Sequence, residues 1–132
     1  MADKIRVLIV EDSPTVRALL EHIVAGDPRL EVVGTCTTAE EMLANLDRIA
    51  PDVISMDVRL PGMNGLDATV EVMRRRPTPI VVVAADVAAP DLGIAMNALR
   101  AGALTVVEKP VGVEHAAYGA IAERLRSKLV LM

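Results

Sequence analysis

The side chains best suited to chemistry in this sequence are charged groups that follow apolar runs. Carboxylates held at close range repel one another unless a cation lies between them. Mg²⁺ suits such a site because it prefers oxygen ligands. The pattern therefore predicts a Mg²⁺-dependent site that accepts a phosphoryl group. Four residues form this pattern: Glu11, Asp12, Asp57 and Lys109.

These charged groups can meet only if the apolar runs before them are neighbouring parallel strands. The runs are short and rich in Val, Ile and Leu, which is typical of parallel strands buried on both faces. In open α/β sheets, sites form at the carboxyl ends of the strands, where the strand order reverses. Five segments are predicted to be strands: Ile5–Val10, Leu30–Gly34, Asp52–Asp57, Pro79–Ala84 and Leu104–Val107.

Amphipathic segments alternate with these strands and predict five helices. Ser13 before Pro14, and Thr38 three residues before Glu41, are the predicted N-caps of the first two helices. The alternation predicts one α/β domain in which right-handed crossovers place helices on both faces of a parallel sheet. The other three helices are expected at these positions: around Leu66, Val70 and Met73, from Pro90 to Gly102, and from about Val113 to Leu129.

Composition narrows the class of protein further. The chain has 132 residues, of which 52% are hydrophobic, and Tyr118 is its only aromatic residue, so we expect one domain with an aliphatic core. The net charge of −4 argues against nucleic-acid binding by a broad basic face. A lone cysteine, Cys36, favours a cytoplasmic setting over a disulfide framework. No apolar run is long enough to cross a bilayer, so no membrane partner is expected.

Three motifs give the chain a resemblance to a known family. The segments Val7–Ser13, Met56–Gly65 and Glu108–Pro110 resemble the receiver domain of two-component response regulators. Two further segments, Arg76–Val83 and Ala98–Ala103, resemble the receiver half of chemotaxis protein-glutamate methylesterases. The resemblance implies a flavodoxin-like (βα)₅ fold with a doubly wound parallel five-stranded sheet in the order 2-1-3-4-5.

The resemblance also implies a role for each charged residue. Asp57 would accept a phosphoryl group from the phosphohistidine of a histidine kinase, and Lys109 would pair with Asp57 and then with the phosphoryl group. Asp12, Asp57 and the backbone carbonyl of Arg59 would bind Mg²⁺ directly. Glu11 would contact the ion through a water molecule.

The same resemblance implies a domain arrangement. Residues 1–126 would form the receiver domain, and residues 127–132 would begin a linker to an output catalytic domain. We find no Gly-x-Ser-x-Gly nucleophile turn in this chain, so we expect it to regulate a chemotaxis methylesterase-like output domain rather than to contain one. The enzyme class of the longer protein stays open.

Two other functions fit parts of the pattern. A stand-alone or hybrid-kinase receiver would act as an adaptor or a phosphate sink without an output enzyme. A flavodoxin-like cofactor binder is disfavoured, because Glu11 and Asp12 in its first loop would repel a flavin phosphate.

Two positions depart from the family's pattern. The family places Ser or Thr at the end of the fourth strand, where this chain has Ala84, and usually an aromatic residue three before the lysine, where this chain has Val106. A hydrogen bond to a charged group contributes ~1.5–3 kcal/mol, so we expect a switch weakened by roughly one to two orders of magnitude. Asp86, two residues after Ala84, adds a negative charge near the expected site. Pro110, directly after Lys109, occupies the family's cis-Lys-Pro position.

Overall fold

Five strands and four helices have both ends within the part of the chain that the structure describes. The structure, a computed structural model, describes residues 3–84, 93, 97, 99, 100, 102, 103, 105–110 and 115–130. No helix within these residues has the length and apolar character needed to cross a bilayer. The elements are β1 Ile5–Val10, α1 Pro14–Ala25, β2 Leu30–Cys36, α2 Ala39–Ile49, β3 Val53–Asp57, α3 Gly65–Arg75, β4 Ile80–Ala84, β5 Thr105–Glu108 and α4 His115–Val130.

The five strands form one parallel sheet in the order β2-β1-β3-β4-β5, which confirms the predicted fold class and strand order. The chain leaves β1 for β2 on one side and returns to β3 on the other, so the strand order reverses between β1 and β3. Crevices for ligands form outside the carboxyl ends of strands at such a point. β1 and β3 therefore end beside the expected site, at Val10 and Asp57.

Each face of the sheet is covered by two of the described helices. α2 and α3 pack on one face, and α1 and α4 pack on the other. Successive strand residues point to opposite faces, so Leu8 joins the first core while Val7 joins the second. The core is aliphatic, as predicted. Its largest fully buried side chains are Leu8, Ile9, Leu20, Ile23, Leu30, Met42, Leu46, Ile54, Met56, Ile80, Leu125 and Leu129.

The first two helices begin at the predicted N-caps. Ser13 Oγ accepts a hydrogen bond from the N–H of Val16 at 3.4 Å, and Thr38 Oγ1 accepts one from the N–H of Glu41 at 3.0 Å. The Glu41 carboxylate reaches back to the N–H of Thr37 at 2.7 Å, one residue before the N-cap. These bonds satisfy donors that the first turn of a helix leaves without partners.

The edge strand β2 is longer than predicted because its pairing with β1 contains an irregularity. Val7 pairs with Val32, whereas Leu8 pairs with Gly34, so β2 has one extra residue at Val33. This bulge lets the strand continue in register to Cys36. A Cβ on Gly34 would lie 3.3 Å from the side chains of both Leu8 on β1 and Ile49 on α2, so the sheet and its covering helix approach closely there.

The third helix lies where Leu66, Val70 and Met73 predicted it. Its buried face is formed by neighbouring residues, since Val70 is 39% exposed and the fully buried positions include Thr69 and Val72. The reason is a local hydrogen bond that hydropathy does not reveal. Thr69 Oγ1 donates to the backbone carbonyl of Gly65 at 2.8 Å, so its hydroxyl can be buried at little cost.

The predicted helix between Pro90 and Gly102 lies mostly outside the described residues. Within the described part, Leu99 and Arg100 are helical, and the N–H of Gly102 donates to the carbonyl of Leu99 at 3.1 Å. Gly102 has a φ of 121°, which suits the glycine predicted to end that helix. Asp86 also lies outside the described residues.

Arg6 on β1 binds the end of α2. Its guanidinium donates from Nη1 to the carbonyl of Ala50 at 2.5 Å and from Nη2 to that of Ile49 at 2.7 Å. The last carbonyls of a helix have no partner within the helix. Arg6 therefore supplies charged donors to carbonyls at the end of α2.

Replacing Arg6 tests this link. Arg6→Met keeps the aliphatic part of the side chain but removes both charged donors, so we expect the free energy of unfolding to fall by about 1.5–3 kcal/mol. Arg48→Met is the matched control, because the exposed Arg48 side chain bonds to Asn45 on its own helix. Urea denaturation followed by far-UV circular dichroism measures both variants. Equal midpoints for the two would contradict this role of Arg6.

Candidate functional site

The acidic residues predicted to act together meet at the carboxyl edge of the sheet. Carboxylate oxygens of Glu11, Asp12 and Asp57 all lie within 4.8 Å of one another. Glu11 and Asp12 follow β1, Asp57 ends β3, and these strands are hydrogen-bonded neighbours. Glu11 is fully buried and Asp57 is 2% exposed, whereas Asp12 is exposed. The site therefore has two buried acids and one acid that faces solvent.

Lys109 lies between the two buried carboxylates. Its Nζ is 3.0 Å from Asp57 Oδ2 and 3.3 Å from Glu11 Oε1, and its side chain is only 11% exposed. The backbone N–H of Lys109 donates to the carbonyl of Ala84 at 2.8 Å, which ties the lysine to the end of β4. The structure thus brings the predicted lysine to the predicted acids.

The peptide bond after this lysine differs from the expectation. The resemblance puts Pro110 at the family's cis-Lys-Pro position, but no cis peptide bond occurs among the described residues, so the Lys109–Pro110 bond is trans. A trans X–Pro bond is the form favoured by about 0.5–1 kcal/mol in the absence of other constraints.

Each buried carboxylate is held by a backbone donor on one oxygen. The N–H of Ser13 donates to Glu11 Oε2 at 3.1 Å, and the N–H of Arg59 donates to Asp57 Oδ1 at 3.1 Å. The other two oxygens, Glu11 Oε1 and Asp57 Oδ2, are buried and receive no backbone hydrogen bond. Both lie close to the ammonium group of Lys109, and the two carboxyl groups also interact with each other. One cation thus faces two buried anions.

Burial and charge shift the pKa values of these groups. Burial, followed by repulsion from Asp57, raises the pKa of Glu11 from 4.5 to about 7. Burial also raises the pKa of Asp57, although the hydrogen bond and charge of Lys109 oppose the shift. Burial alone would lower the pKa of Lys109, but its hydrogen bond to Asp57 and the two acidic charges outweigh burial and raise it. The lysine is therefore charged at neutral pH.

The site has the ligand atoms needed to bind a hard divalent cation. All of the converging ligand atoms are carboxylate oxygens, and three acids outnumber the one lysine by two charges when all are ionised. Two buried oxygens with unfilled acceptor capacity add to this fit, because such groups are costly unless something neutralises them. Arg59, predicted to contribute a backbone carbonyl, lies next to Asp57 in the loop after β3, where its N–H already binds Asp57.

Sequence reasoning did not identify Gly65 as a residue of this site. A Cβ on Gly65 would lie 2.7 Å from the carbonyl oxygen of Asp57 and 3.0 Å from the Cα of Val58, and neither backbone atom can move away easily. Gly65 begins α3, and Asn64 caps that helix by accepting from the N–H of Asp67 at 2.9 Å. The glycine allows α3 to start directly against the end of β3.

Arg17 is a second residue that sequence reasoning did not connect with the site. Its Nη1 donates to the backbone carbonyl of Glu11 at 3.1 Å, which links α1 to the turn that presents the acidic pair. A basic residue six positions after Glu11 on a predicted helix was the available signal, but many exposed helices show the same pattern.

The two positions that depart from the family's pattern also lie near the site. Ala84 is 2% exposed at the end of β4, and only its backbone carbonyl bonds to Lys109. Val106 is half-buried and packs against the core beneath α2 and α3. The described contacts of both side chains are therefore apolar.

Comparison with known proteins places this arrangement in a family. The response regulator receiver domain family matches residues 7–117. The whole chain is 61% identical to protein-glutamate methylesterase/protein-glutamine glutaminase 2 of Paramagnetospirillum magneticum and covers 38% of it. It is 45% identical over 130 residues to protein-glutamate methylesterase/protein-glutamine glutaminase 4 of Myxococcus xanthus, covering 98% of this chain and 36% of that one. The chain thus spans little more than a third of these relatives.

Solved structures give the same result. The response regulator domain of Thermotoga maritima CheB superimposes with a TM-score of 0.84 at 32% sequence identity, covering 97% of this chain and 95% of that one. The family match, the identities and this superposition agree with the acidic edge of the sheet and its lysine. This chain therefore belongs to the response regulator receiver domain family and is of the type found in CheB methylesterases.

Proposed function

We propose that this chain is the phosphoacceptor domain of a two-component response regulator, with Asp57 receiving a phosphoryl group from a histidine kinase. The observation that carries the proposal is the position of Lys109, 3.0 Å from Asp57 Oδ2 and 3.3 Å from Glu11 Oε1. An acceptor oxygen that is buried, short of hydrogen bonds and next to a fixed cation is suited to receive a group with several negative oxygens.

We further propose that the site works with Mg²⁺. The carboxylates of Asp12 and Asp57 and the backbone carbonyl of Arg59 would hold the ion, and Glu11 would contact it through water. When bound, Mg²⁺ neutralises charge on the phosphoryl oxygens and on the acidic cluster. The all-oxygen donor set and the excess of two negative charges support this choice of ion.

Three residues of the chain have separate roles in transfer of the phosphoryl group. An oxygen of Asp57 attacks the phosphorus, a P–O bond forms, and the P–N bond to the donor imidazole breaks, which leaves the imidazole nitrogen to take a proton. The N–H of Arg59 holds Asp57 Oδ1, so the carboxylate is oriented before the donor arrives. Lys109 keeps its charge through the reaction, since its pKa is raised, and it moves its ion pair from the carboxylate to the phosphoryl group.

We propose that the phosphoryl group regulates a catalytic output domain of the methylesterase type, joined after about residue 126. The support is the length of the relatives, since the chain covers 38% and 36% of two proteins that carry the methylesterase name.

A cytoplasmic setting fits Cys36, which is free and buried. Burial raises the pKa of its thiol to about 11, so the thiol is unreactive.

Labelling with a small phosphodonor tests the acceptor. Incubation with Mg²⁺ and acetyl phosphate should add one phosphoryl group to the intact chain, measured by mass spectrometry. Asp57→Asn should abolish the gain, because the amide is a far poorer nucleophile than the carboxylate. Asp67→Asn is the matched control, since Asp67 is exposed on α3 nearby. An Asp57→Asn variant labelled as fully as the Asp67→Asn control would overturn the assignment.

The raised pKa of Glu11 predicts an unusual dependence of stability on pH. A carboxyl group whose pKa is raised from 4.5 to about 7 by folding contributes stability that is full below pH 4.5 and lost as the pH rises through 7. The metal-free chain should therefore lose about 1–3 kcal/mol of unfolding free energy between pH 5 and pH 8. Glu11→Gln, which stays neutral, should remove most of this loss.

Urea denaturation of the metal-free protein at several pH values measures this effect, and Glu31→Gln on the surface is the control. Mg²⁺ added at pH 8 should raise the stability of the parent chain through binding. An equal pH slope in the parent and in Glu11→Gln would show that Glu11 is not the group responsible.

The apolar residues Ala84 and Val106 predict a weak structural response to phosphorylation. The phosphoryl oxygens would meet no hydroxyl at Ala84, and no large side chain is available at Val106 to change its burial. Beryllofluoride, a phosphoryl mimic, should therefore shift amide resonances near Asp57 and Ala84 but move those of β5, Leu99 and Arg100 only slightly.

Restoring the family's residues should enlarge that response. Ala84→Thr should increase the shifts in β5, and Ala84→Thr with Val106→Tyr should increase them by more than the sum of the single variants, because the two side chains would act together. Large shifts across β5 in the parent chain would contradict this argument and would mean that another switch operates.

A further inference from the structure

Glu40, in the first turn of α2, contacts the loop that follows Asp57. The N–H of Met63 donates to Glu40 Oε2 at 3.3 Å, across 23 positions of sequence. A Cβ added to Gly62 would lie 2.7 Å from the same oxygen, so the carboxylate lies directly against the backbone of Gly62. Gly62 has a φ of 74°, which a residue with a side chain rarely adopts. Carboxylate and turn therefore fit each other closely.

This loop carries a backbone group of the acid site. The N–H of Arg59 donates to Asp57 Oδ1 at 3.1 Å, which holds the start of the loop. The N–H of Gly65 donates to the carbonyl of Val58 at 3.1 Å, which holds its end. Gly62 lies between these two points and is exposed. The bond from Glu40 acts on this middle part, where local backbone bonds of the loop give little restraint.

We propose that Glu40 is a positioning residue for the acid site. Its carboxylate holds the loop after Asp57 in the turn that keeps the Arg59 backbone directed at the cluster, and it thereby raises the affinity of the site for a divalent cation. The inference rests on the proposed Mg²⁺ site and names a residue outside that site's ligand set. Glu40 acts as a hydrogen-bond acceptor, so its neutral isostere should serve nearly as well.

Two substitutions separate the acceptor from the charge. Glu40→Ala removes both, whereas Glu40→Gln removes the charge, including its favourable place at a helix N-terminus, but keeps an acceptor oxygen. Glu31→Ala is the matched control, because Glu31 is an exposed acid on β2. Both positions are at the surface, and far-UV circular dichroism checks that each of the three variants folds.

The first measurement uses the metal-free, ¹⁵N-labelled chain. In Glu40→Ala the amide resonances of Met63 and Arg59 should shift, and in Glu40→Gln they should stay near their positions in the parent. The second measurement is a Mg²⁺ titration followed on the same resonances. Glu40→Ala should weaken the Kd about two- to tenfold, as expected for the loss of one hydrogen bond. Glu40→Gln and Glu31→Ala should stay within about twofold of the parent on the same scale.

Each possible failure has a separate meaning. Unchanged Met63 and Arg59 resonances in Glu40→Ala would overturn the inference, as would shifted resonances with an unchanged Mg²⁺ affinity. Equal losses in Glu40→Ala and Glu40→Gln would assign the effect to charge and overturn the positioning role. A parent chain that binds no Mg²⁺ would overturn the proposed metal site and the metal-affinity half of this inference, while the metal-free resonances would still decide whether Glu40 positions the loop.

Discussion

Burial of two carboxylates beside a single lysine is the constraint on which the rest of this structure depends. Glu11 and Asp57 are almost completely removed from water, and among the residues that the structure describes only Lys109 compensates them from close range. An unpaired buried charge is costly, so the arrangement is tolerable only if the surrounding backbone holds these groups in place. The backbone bonds of Ser13 to Glu11 and of Arg59 to Asp57 do so. The energetic cost of burying these charges therefore lies at a place where a cation or a phosphoryl group can bind and reduce it.

The parallel sheet brings these groups together without contacts dedicated to the site. Each charged residue ends or follows a strand, and the reversal of strand order between β1 and β3 opens a crevice at that edge. The helices adapt to this edge. Gly65 lets α3 start against the carbonyl of Asp57, and Arg17 binds α1 to the carbonyl of Glu11. The contact of Arg6 with the end of α2, by contrast, supports the frame.

The strands, the helix caps and the acidic edge could be predicted because their signals are local in sequence, whereas the strand order was implied by the family resemblance. An apolar run followed by a charge, or Ser13 followed by Pro14, is visible within a few residues. The buried face of α3 could not be predicted from hydropathy, because Thr69 is buried only when its hydroxyl finds the Gly65 carbonyl. The extra residue at Val33 likewise depends on pairing with a strand that is distant in sequence. The trans bond before Pro110 contradicted the family's usual pattern.

The bulge in β2 has a consequence for how copies of this domain meet. An edge strand normally presents a regular row of free N–H and C=O groups that another chain can pair with. The extra residue at Val33 breaks the two-residue repeat of that row, since one residue of β2 has no counterpart on β1. At the opposite edge, the described part of β5 is four residues long. Neither border offers a long regular template for a sixth strand, so the sheet resists fibrous growth and leaves recognition to its helices and loops.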